Sequence, residues 1–511
     1  MSVLRRSRHA RVPSPAAAGV MRAIRLLVRG LGGLALSTLL ALLSAALYAA
    51  FRDVSYEQRD DAASLARKRS ELAWMAEQAR AAGGVARPNL IVVLFDDLGY
   101  GDLGAYGSRA LATPRIDRLA AEGAVFDTFY APAPYCTPSR AGFLTGRWPI
   151  RTGLTNIVFP RGHAVNHLQR MTGRQVRLPA DEILLPEALR AAGYATAMVG
   201  KWHLGDETPS RPNDFGFDHY FGVLHSNDMA PLPLWRNREI ATPHPIDQRL
   251  LTPRYTDDAI AWIEAHADGP FFLHFAHNFP HIPLHATPEQ AGKSGAGPYG
   301  DVIADLDASV GKLVDALARL GIAEKTLVVV TSDNGPWYQG RAGPLRGRKN
   351  DTFEGGMRVP FIAWWPGRIP AGRRAGDVAI GIDLLPTALA LAGVPLPRDR
   401  TIDGIDLSRA LIEGGPLAER PVLYYSDRAL QALRLGRWKL HARHGVYGGA
   451  PWSFAWVPLV AHGPWLFDLA RDPDEAYDAS SRYPAELARL TELREGWLRE
   501  LEANPRGWKS P

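Results

Sequence analysis

The sequence contains almost no cysteine, and its excess of basic charge is confined to one end. The 511 residues include a single cysteine, Cys136, which excludes an intramolecular disulfide and a cysteine-based zinc site. Lysine and arginine total 59 against 53 acidic residues, but residues 1–29 hold seven arginines and no acid. The rest of the chain is therefore close to neutral, and its charge gives no support to nucleic-acid binding.

Repeats and low-complexity tracts are also absent from the sequence. With 46% hydrophobic and 22% charged residues, the composition is that of a globular protein and not of a long disordered tail. A chain of 511 residues can form one large domain of about 300 residues and a smaller one, because single cores stop growing near that size.

One long uncharged stretch, Gly30–Phe51, predicts a transmembrane signal anchor. Its 22 residues would extend about 33 Å as a helix, close to a bilayer core of about 30 Å. Arginines precede it and acidic residues follow, so the positive-inside rule predicts a basic cytoplasmic tail at residues 1–29 and a body outside the cytoplasm. Two alternatives are a cleaved signal peptide, with a weak site at Ser44-Ala45-Ala46, and a buried helix of a soluble protein.

After this stretch the chain alternates between strand-like and helix-like segments. Residues 52–87 are rich in Ala, Arg, Glu and Asp without Pro, which predicts a solvated helical stalk. Apolar runs typical of buried parallel strands then occur at Asn89–Phe95, Thr196–Val199, Pro270–Phe275, Thr326–Val330 and Phe361–Trp365, separated by helical patterns such as Thr113–Glu122 and Ile183–Ala192. This alternation predicts an α/β sandwich with a large, mostly parallel sheet over residues 88–416. Shorter strand-like pieces and a last helix predict a small C-terminal α+β subdomain at residues 417–511.

Two of the predicted strands run directly into oxygen-bearing side chains. Asp96 and Asp97 follow the first run, and Asp333 and Asn334 follow the fourth. Ligands of open α/β sheets bind beyond the carboxyl ends of strands, so these side chains are expected to converge. Oxygen ligands of this kind suit a hard cation, Ca²⁺ or Mg²⁺. The alternative is that both segments are ordinary helix caps and turns, which the same residue types favour.

The single cysteine lies where a helix is predicted to begin. Pro138 suits the first turn of that helix and Gly146 its end, which places Cys136 at the positive pole with Arg140 one turn later. A helix N-terminus with an arginine can bind an anion. The alternative is that the free thiol is simply a small buried apolar group.

The segment CTPSRAGFLTGR, which begins at Cys136, resembles the signature C-x-P-S-R-x-x-x-L-T-G of the type I sulfatases. The resemblance implies an alkaline-phosphatase-like α/β sandwich. It also implies that a formylglycine-generating or sulfatase-maturing enzyme oxidises Cys136 to Cα-formylglycine, whose hydrated form is the nucleophile. The family's metal ligands correspond to Asp96, Asp97, Asp333 and Asn334, together with the modified residue at position 136.

Two further blocks resemble the same family. GKWHLG matches its Lys-x-His element, which implies that Lys201 binds the sulfate and that His203 hydrogen-bonds the diol and assists breakdown of the covalent intermediate. If this segment is extended, the two side chains share one face. In GVLHSND, Ser226 lies where some arylsulfatases place a serine near the sulfate.

The resemblance continues through residue 475 and includes a histidine-rich and a lysine-bearing block. HNFPHIPLH implies that His281 contacts the sulfate and protonates the leaving oxygen, with His277 and His285 as competing candidates. RKNDTFEGGMRVP implies a sulfate contact from Lys349, for which Arg346 and Arg348 could be mistaken.

These residues together imply hydrolysis of sulfate monoesters of a small molecule or carbohydrate. Arg140 joins the two lysines in holding the sulfate oxygens, and Asp333 assists the nucleophile. One alternative is a phosphonate monoester or phosphodiester hydrolase with the same site; another is an inactive, membrane-tethered binding protein. One cysteine and an outward-facing body suit an exported compartment such as a bacterial periplasm.

Overall fold

The structure is a computed structural model that describes residues 37–39, 41–42, 60–83, 87–442, 444–445 and 461–509. Of the described residues, 60–169 and those from 174 onwards belong to one compact unit, which contains every site discussed below; residues 37–39, 41–42 and 170–173 belong to another. Most of the predicted anchor at residues 30–51 lies outside the described residues, which include only 37–39 and 41–42 of it. Among the residues that are described, no helix has the length and apolar character needed to cross a bilayer.

A ten-stranded sheet forms the centre of the large unit, with the order β10-β2-β9-β8-β1-β7-β3-β4-β5-β6. The strands are β1 Asn89–Phe95, β2 Ala124–Tyr130, β3 Ala195–Lys201, β4 His219–Val223, β5 Leu234–Arg236, β6 Glu239–Thr242, β7 Phe271–Ala276, β8 Thr326–Ser332, β9 Phe361–Trp364 and β10 Arg373–Ile380. The central strands β8, β1, β7, β3 and β4 are parallel. The β9 strand is antiparallel to both of its neighbours.

Helices cover both faces of this sheet. The helices of the described residues, on this sheet and elsewhere, are α1 Ala62–Ala81, α2 Pro114–Glu122, α3 Cys136–Thr145, α4 Pro149–Thr152, α5 Ala164–Met171, α6 Leu185–Ala191, α7 Leu251–Ala265, α8 Gly297–Arg319, α9 Glu354–Met357, α10 Leu384–Ala392, α11 Ser408–Ile412 and α12 Pro484–Ala503. Alternate residues of β1 enter two separate cores, with Leu90 and Val92 in one and Ile91 and Val93 in the other. Burial on both faces explains why the β1 sequence is continuously apolar.

The end of the chain forms a second, smaller sheet, as predicted for a C-terminal α+β subdomain. Strands β11 Val422–Ser426, β12 Ala429–Leu435, β13 Trp438–His441 and β16 Trp465–Asp468 form an antiparallel sheet, and β14 His444–Gly445 pairs with β15 Ala461–His462. Helix α12 packs on the four-stranded sheet, where Leu490 joins an apolar cluster with Leu433 and Leu440.

The predicted solvated stalk at residues 52–87 is wrong in one respect. A helix is present at α1, but it packs against the body: Met75 is fully buried in the core, and Lys68 forms a 2.7 Å ion pair with Glu187 of α6. The α1 sequence has many alanines but few large apolar residues, and part of its contact with the body is made through buried polar groups such as Glu71. A reading based on hydrophobic pattern alone therefore misses this contact.

Candidate active site

Strands β1 and β8 bring the four predicted metal ligands together. The strands pair in register with Phe95 opposite Ser332, so the residues that follow each strand emerge side by side. The backbone N–H of Asp97 donates to Oδ1 of Asp333 at 3.2 Å, and Nδ2 of Asn334 donates to Oδ1 of Asp97 at 2.7 Å. Asp97 has a φ of +67°, a left-handed conformation that is uncommon for a residue with a side chain and typical of functional sites.

Cys136 is the first residue of helix α3 and is buried beside these carboxylates. The helix ends at Gly146, whose φ of +67° permits the left-handed cap, in agreement with the predicted helix limits. The Sγ atom of Cys136 lies 3.4 Å from Oδ1 of Asp96 and 3.2 Å from Nζ of Lys349. Burial and the nearby Asp96 charge raise the pKa of the unmodified thiol, so it is not a reactive thiolate.

Three cationic side chains face the three carboxylates. Arg140 donates to Asp333 at 2.9 Å, Lys201 pairs with Asp96 at 2.5 Å, and Lys349 pairs with Asp97 at 2.8 Å. All six side chains are almost completely buried, which is tolerable for charges only when they are paired.

Burial and charge pull the pKa values of the site's carboxyls in opposite directions. Burial alone raises the pKa of Asp96, but the charges of Lys201, His281 and Arg140 hold it well below its ordinary value. Burial and the neighbouring Asp96 raise the pKa of Asp333 to about 7, although Arg140 lowers it. Without a cation, the two carboxyls thus differ in their affinity for a proton.

Lys349 is the only one of the three candidate cations in its block whose charge reaches the site. Arg346 donates to the carbonyl of Glu475, and Arg348 donates to the carbonyls of Trp337 and Gly340. Of these three residues, Lys349 is therefore the one whose charged group lies beside Asp97 and Cys136.

His281 is likewise the one candidate histidine of the HNFPHIPLH segment that enters the cluster. Its Nε2 atom lies 3.7 Å from Oδ2 of Asp97 and 3.5 Å from Oγ of Ser226. Ser226 in turn lies 3.2 Å from Nζ of Lys201. His277 instead contacts Ser309 on α8, and His285 lies edge-on to Phe279.

The extended segment on which the shared face of Lys201 and His203 depends is not present. Strand β3 ends at Lys201, and His203 lies beyond the strand with a φ of +64°. Nε2 of His203 lies 3.0 Å from the carbonyl of Val158, so Nε2 carries the proton and Nδ1 is a buried acceptor with no hydrogen-bond partner. Burial and the Lys201 charge hold the pKa of His203 well below its ordinary value, so the ring is neutral.

The donor set fits a hard divalent cation. Asp96, Asp97, Cys136 and His281 each have a potential ligand atom within 4.8 Å of the others, and the hard donors among them are the two carboxylates. The buried Oδ1 of Asn334 has no hydrogen-bond partner, although its amide nitrogen is used, and such an oxygen is expected where a cation completes the site. Carboxylate and amide oxygens favour Ca²⁺ or Mg²⁺ over softer metals.

The sequence did not reveal the side chains that hydrogen-bond to the backbone around the carboxylate cluster or to the loop that carries Lys349. Ser139 donates from Oγ to the carbonyl of Asp333, and Ser332 accepts from the backbone of Leu98 at 2.9 Å. Glu354 forms a buried network with the C-terminal subdomain. The only available signal was the position of these residues inside or beside the recognised blocks.

Comparison with known proteins agrees with this geometry. Residues 88–394 match the family model described as sulfatase, and residues 418–510 match the C-terminal region of aryl-sulfatase. The chain belongs to the sulfatase family. It is 40% identical over 454 residues to N-acetylgalactosamine-6-sulfatase of Canis lupus familiaris, a match covering 80% of this chain and 86% of that protein. Arylsulfatase A of Homo sapiens is 38% identical over 78% of this chain and 85% of its own length.

Solved structures confirm the predicted fold class. PsFucS1 sulfatase from a Pseudoalteromonas species superposes with a TM-score of 0.73 at 28% identity, covering 87% of this chain and 96% of that one. This sulfatase therefore has the alkaline-phosphatase-like architecture with a small C-terminal sheet. Its activity is the hydrolysis of sulfate esters, as membership of this family of sulfuric ester hydrolases establishes.

Proposed function

We propose that this sulfatase cleaves sulfate monoesters of carbohydrates with a bound Ca²⁺ or Mg²⁺ and a Cα-formylglycine made from Cys136. The contact of Cys136 with Asp96 on one side and Lys349 on the other carries the proposal, because it puts position 136 between the metal ligands and a sulfate-binding cation. A maturing enzyme that oxidises the cysteine is a required partner.

The cation would be held by Asp96, Asp97, Asp333, Asn334 and the modified residue 136. When bound, it neutralises charge on the sulfate oxygens, and the hydrated aldehyde supplies a hydroxyl nucleophile.

The protein's own side chains supply charge stabilisation and proton transfer. Arg140, Lys201 and Lys349 bind the sulfate oxygens and stabilise the charge that develops on them. His281 donates a proton to the departing alcohol, while the buried Nδ1 of His203 is free to accept one. Asp333 accepts the proton of the attacking hydroxyl.

A basic groove beside the Lys349 loop supports an anionic carbohydrate as the substrate. The groove has a volume of about 590 Å³ and is lined by Arg109, Arg341 and Arg348, with no acidic residue among its lining side chains. Guanidinium groups pair well with sulfate and carboxylate groups. The name of the N-acetylgalactosamine-6-sulfatases, which share up to 40% identity with this chain, also favours a sulfated sugar.

Residues 30–51 are proposed to anchor the chain in a membrane, with the catalytic body outside the cytoplasm and, in a bacterium, in the periplasm. The arginine-rich residues 1–29 and the uncharged stretch after them support this orientation.

The first experiment measures nitrophenyl sulfate turnover by protein in which the mass of the peptide containing Cys136 has been determined by mass spectrometry. Formylglycine lowers the peptide mass by about 18 Da relative to cysteine. Modified protein should release sulfate in the presence of Ca²⁺ or Mg²⁺. Turnover of a phosphonate monoester but not of a sulfate ester, both tested at matched concentration, would favour the alternative hydrolase; no turnover of either would favour an inactive binding protein.

The groove is tested separately with a sulfated oligosaccharide. Arg109→Gln and Arg341→Gln should raise its KM by roughly tenfold in combination and leave nitrophenyl sulfate turnover unchanged. Arg69→Gln, at an exposed arginine of α1, is the matched control.

A further inference from the structure

The loop that carries Lys349 forms backbone hydrogen bonds with two segments of the active site, the one after Asn334 and the one before Cys136. The N–H of Lys349 donates to the carbonyl of Pro336 at 3.0 Å, just after the ligand Asn334. The N–H of Asn350 donates to the carbonyl of Pro134 at 2.8 Å, just before Cys136. These bonds hold the middle of the loop, residues 346–354, whose last residue, Glu354, begins helix α9.

Glu354 is fully buried and is held largely by the C-terminal subdomain. Its carboxylate accepts from the hydroxyl of Tyr130 at 2.6 Å and from that of Tyr424, on β11, at 2.7 Å. Nζ of Lys439, on β13, lies 3.1 Å from the same carboxylate. Burial alone raises the pKa of Glu354, but the charges of Lys439 and Arg434 lower it to about 2, so the group is ionised.

Another buried carboxylate, Glu475 of the C-terminal subdomain, contacts both ends of the same loop. Its Oε2 accepts from the backbone N–H of Glu354 at 2.6 Å, and its carbonyl accepts from Arg346 at 2.8 Å. Its Oε1 lies 2.9 Å from Nζ of Lys439 and 2.8 Å from Nε2 of His441. Glu475 has a φ of +51°, a left-handed conformation that the surrounding contacts must hold in place.

A gain in folding stability does not by itself explain this buried network of Glu354, Glu475 and Lys439. Two carboxylates and a lysine, all with 0% exposure, carry a large desolvation cost, and apolar residues of similar volume often give equal or greater stability. Directional hydrogen bonds instead define where the loop lies. The residues between the two anchoring points of this loop include Lys349, whose Nζ must reach between Asp97 and position 136.

We infer that Glu354 and Glu475 are positioning residues through which the C-terminal subdomain sets the place of Lys349 in the sulfate site. The inference rests on the proposed role of Lys349 as a sulfate-binding cation. A displacement of about 1 Å can cost roughly 100-fold in rate. The subdomain would thus contribute to sulfate binding through its contacts with the loop.

The test compares Glu354→Gln with Glu182→Gln in the full-length protein. Glu182 is also fully buried and bound to arginines, Arg147 at 2.7 Å and Arg506 at 2.8 Å, but it has no contact with the Lys349 loop. Both variants should lower Tm. Only Glu354→Gln should weaken the binding of inorganic sulfate and raise the KM for nitrophenyl sulfate, each by about tenfold or more, at a temperature where both variants are folded by circular dichroism.

Calorimetric binding of inorganic sulfate separates this inference from the proposed function, since it does not depend on turnover. Unchanged sulfate affinity in Glu354→Gln, or an equal loss in Glu182→Gln, overturns the positioning role. Wild-type protein that does not bind sulfate contradicts both proposals, whereas binding without turnover contradicts only the function. If Glu354→Gln does not fold, Thr352→Val removes a milder contact with the subdomain, the 3.0 Å bond to Gln431, and should weaken sulfate binding in the same direction.

Discussion

The Sγ atom of Cys136 lies 3.4 Å from a carboxylate oxygen of Asp96, although the two residues are 40 positions apart in the chain. Their contact joins the start of helix α3 to the end of strand β1. Groups this close can share the coordination shell of one cation, whereas a separation of more than about 8 Å would exclude it.

Replacing Asp97 by Asn should abolish activity without unfolding the protein. Asn tolerates the left-handed backbone at this position, so the change removes chiefly the negative charge that faces Lys349 and the cation. We expect turnover of nitrophenyl sulfate to fall at least about 100-fold and the circular dichroism spectrum to be preserved. Asp247→Asn, at an exposed aspartate, should leave activity unchanged, and an active Asp97→Asn enzyme would contradict the metal site.

His281→Gln should affect poor leaving groups more than good ones. An alkoxide requires protonation as it departs, whereas nitrophenolate is stable without it, so the loss of a general acid falls mainly on alkyl sulfates. The ratio of kcat/KM for an alkyl sulfate to that for nitrophenyl sulfate should drop by about 100-fold or more. His285→Gln provides the control, and an unchanged ratio in His281→Gln would remove this residue from the role of acid.

The buried carboxyl of Glu182 should make stability fall in acid. Burial alone would raise its pKa, but the charges of Arg147 and Arg506 lower it to about 2, below the value of about 4.3 expected in an unfolded chain. Its contribution, on the order of 3 kcal/mol, is therefore complete above about pH 4.3 and is lost as the pH falls towards 2. The difference in urea unfolding free energy between wild type and Glu182→Gln should shrink by roughly 1–2 kcal/mol from pH 6 to pH 3. A difference independent of pH would mean that Glu182 is not held ionised.

Met75→Ala should destabilise the protein even though it lies in a segment whose composition suggests a solvated spacer. The side chain of Met75 is fully buried between α1 and the body, so its truncation leaves a cavity and should cost about 2–5 kcal/mol in urea unfolding. The nearby exposed change Arg69→Gln should stay within about 0.5 kcal/mol. Equal stability of the two variants would mean that α1 does not dock in solution.

Local sequence signals were sufficient to predict the central strands and to expect that the polar side chains after β1 and β8 lie together. Asn89–Phe95 is predicted as a strand because a continuous apolar run stops at an acidic pair, and the structure ends β1 at that residue. Helix α3 is predicted from Pro138 and Gly146, which act within a few residues of its ends. Such features need no knowledge of distant parts of the chain.

Features that depend on distant partners were not predictable. The left-handed backbone at His203 occurs at a residue that is not glycine, so the sequence does not mark it. The partners of Glu354 in the C-terminal subdomain are up to 121 residues away, and no local pattern reveals how that subdomain aligns with the loop. The packing of α1 against the body was not predictable for the same reason, because Lys68 pairs with Glu187 on a distant helix.

Every residue of helix α3 is buried, and Cys136 is only 2% exposed. This burial affects the order of folding and cysteine modification in the cell. The proposed conversion of Cys136 to formylglycine requires an oxidising enzyme to reach a thiol that the folded chain encloses. That conversion would therefore precede folding, and a molecule that folds with its thiol intact would lack the proposed nucleophile for as long as it stays native.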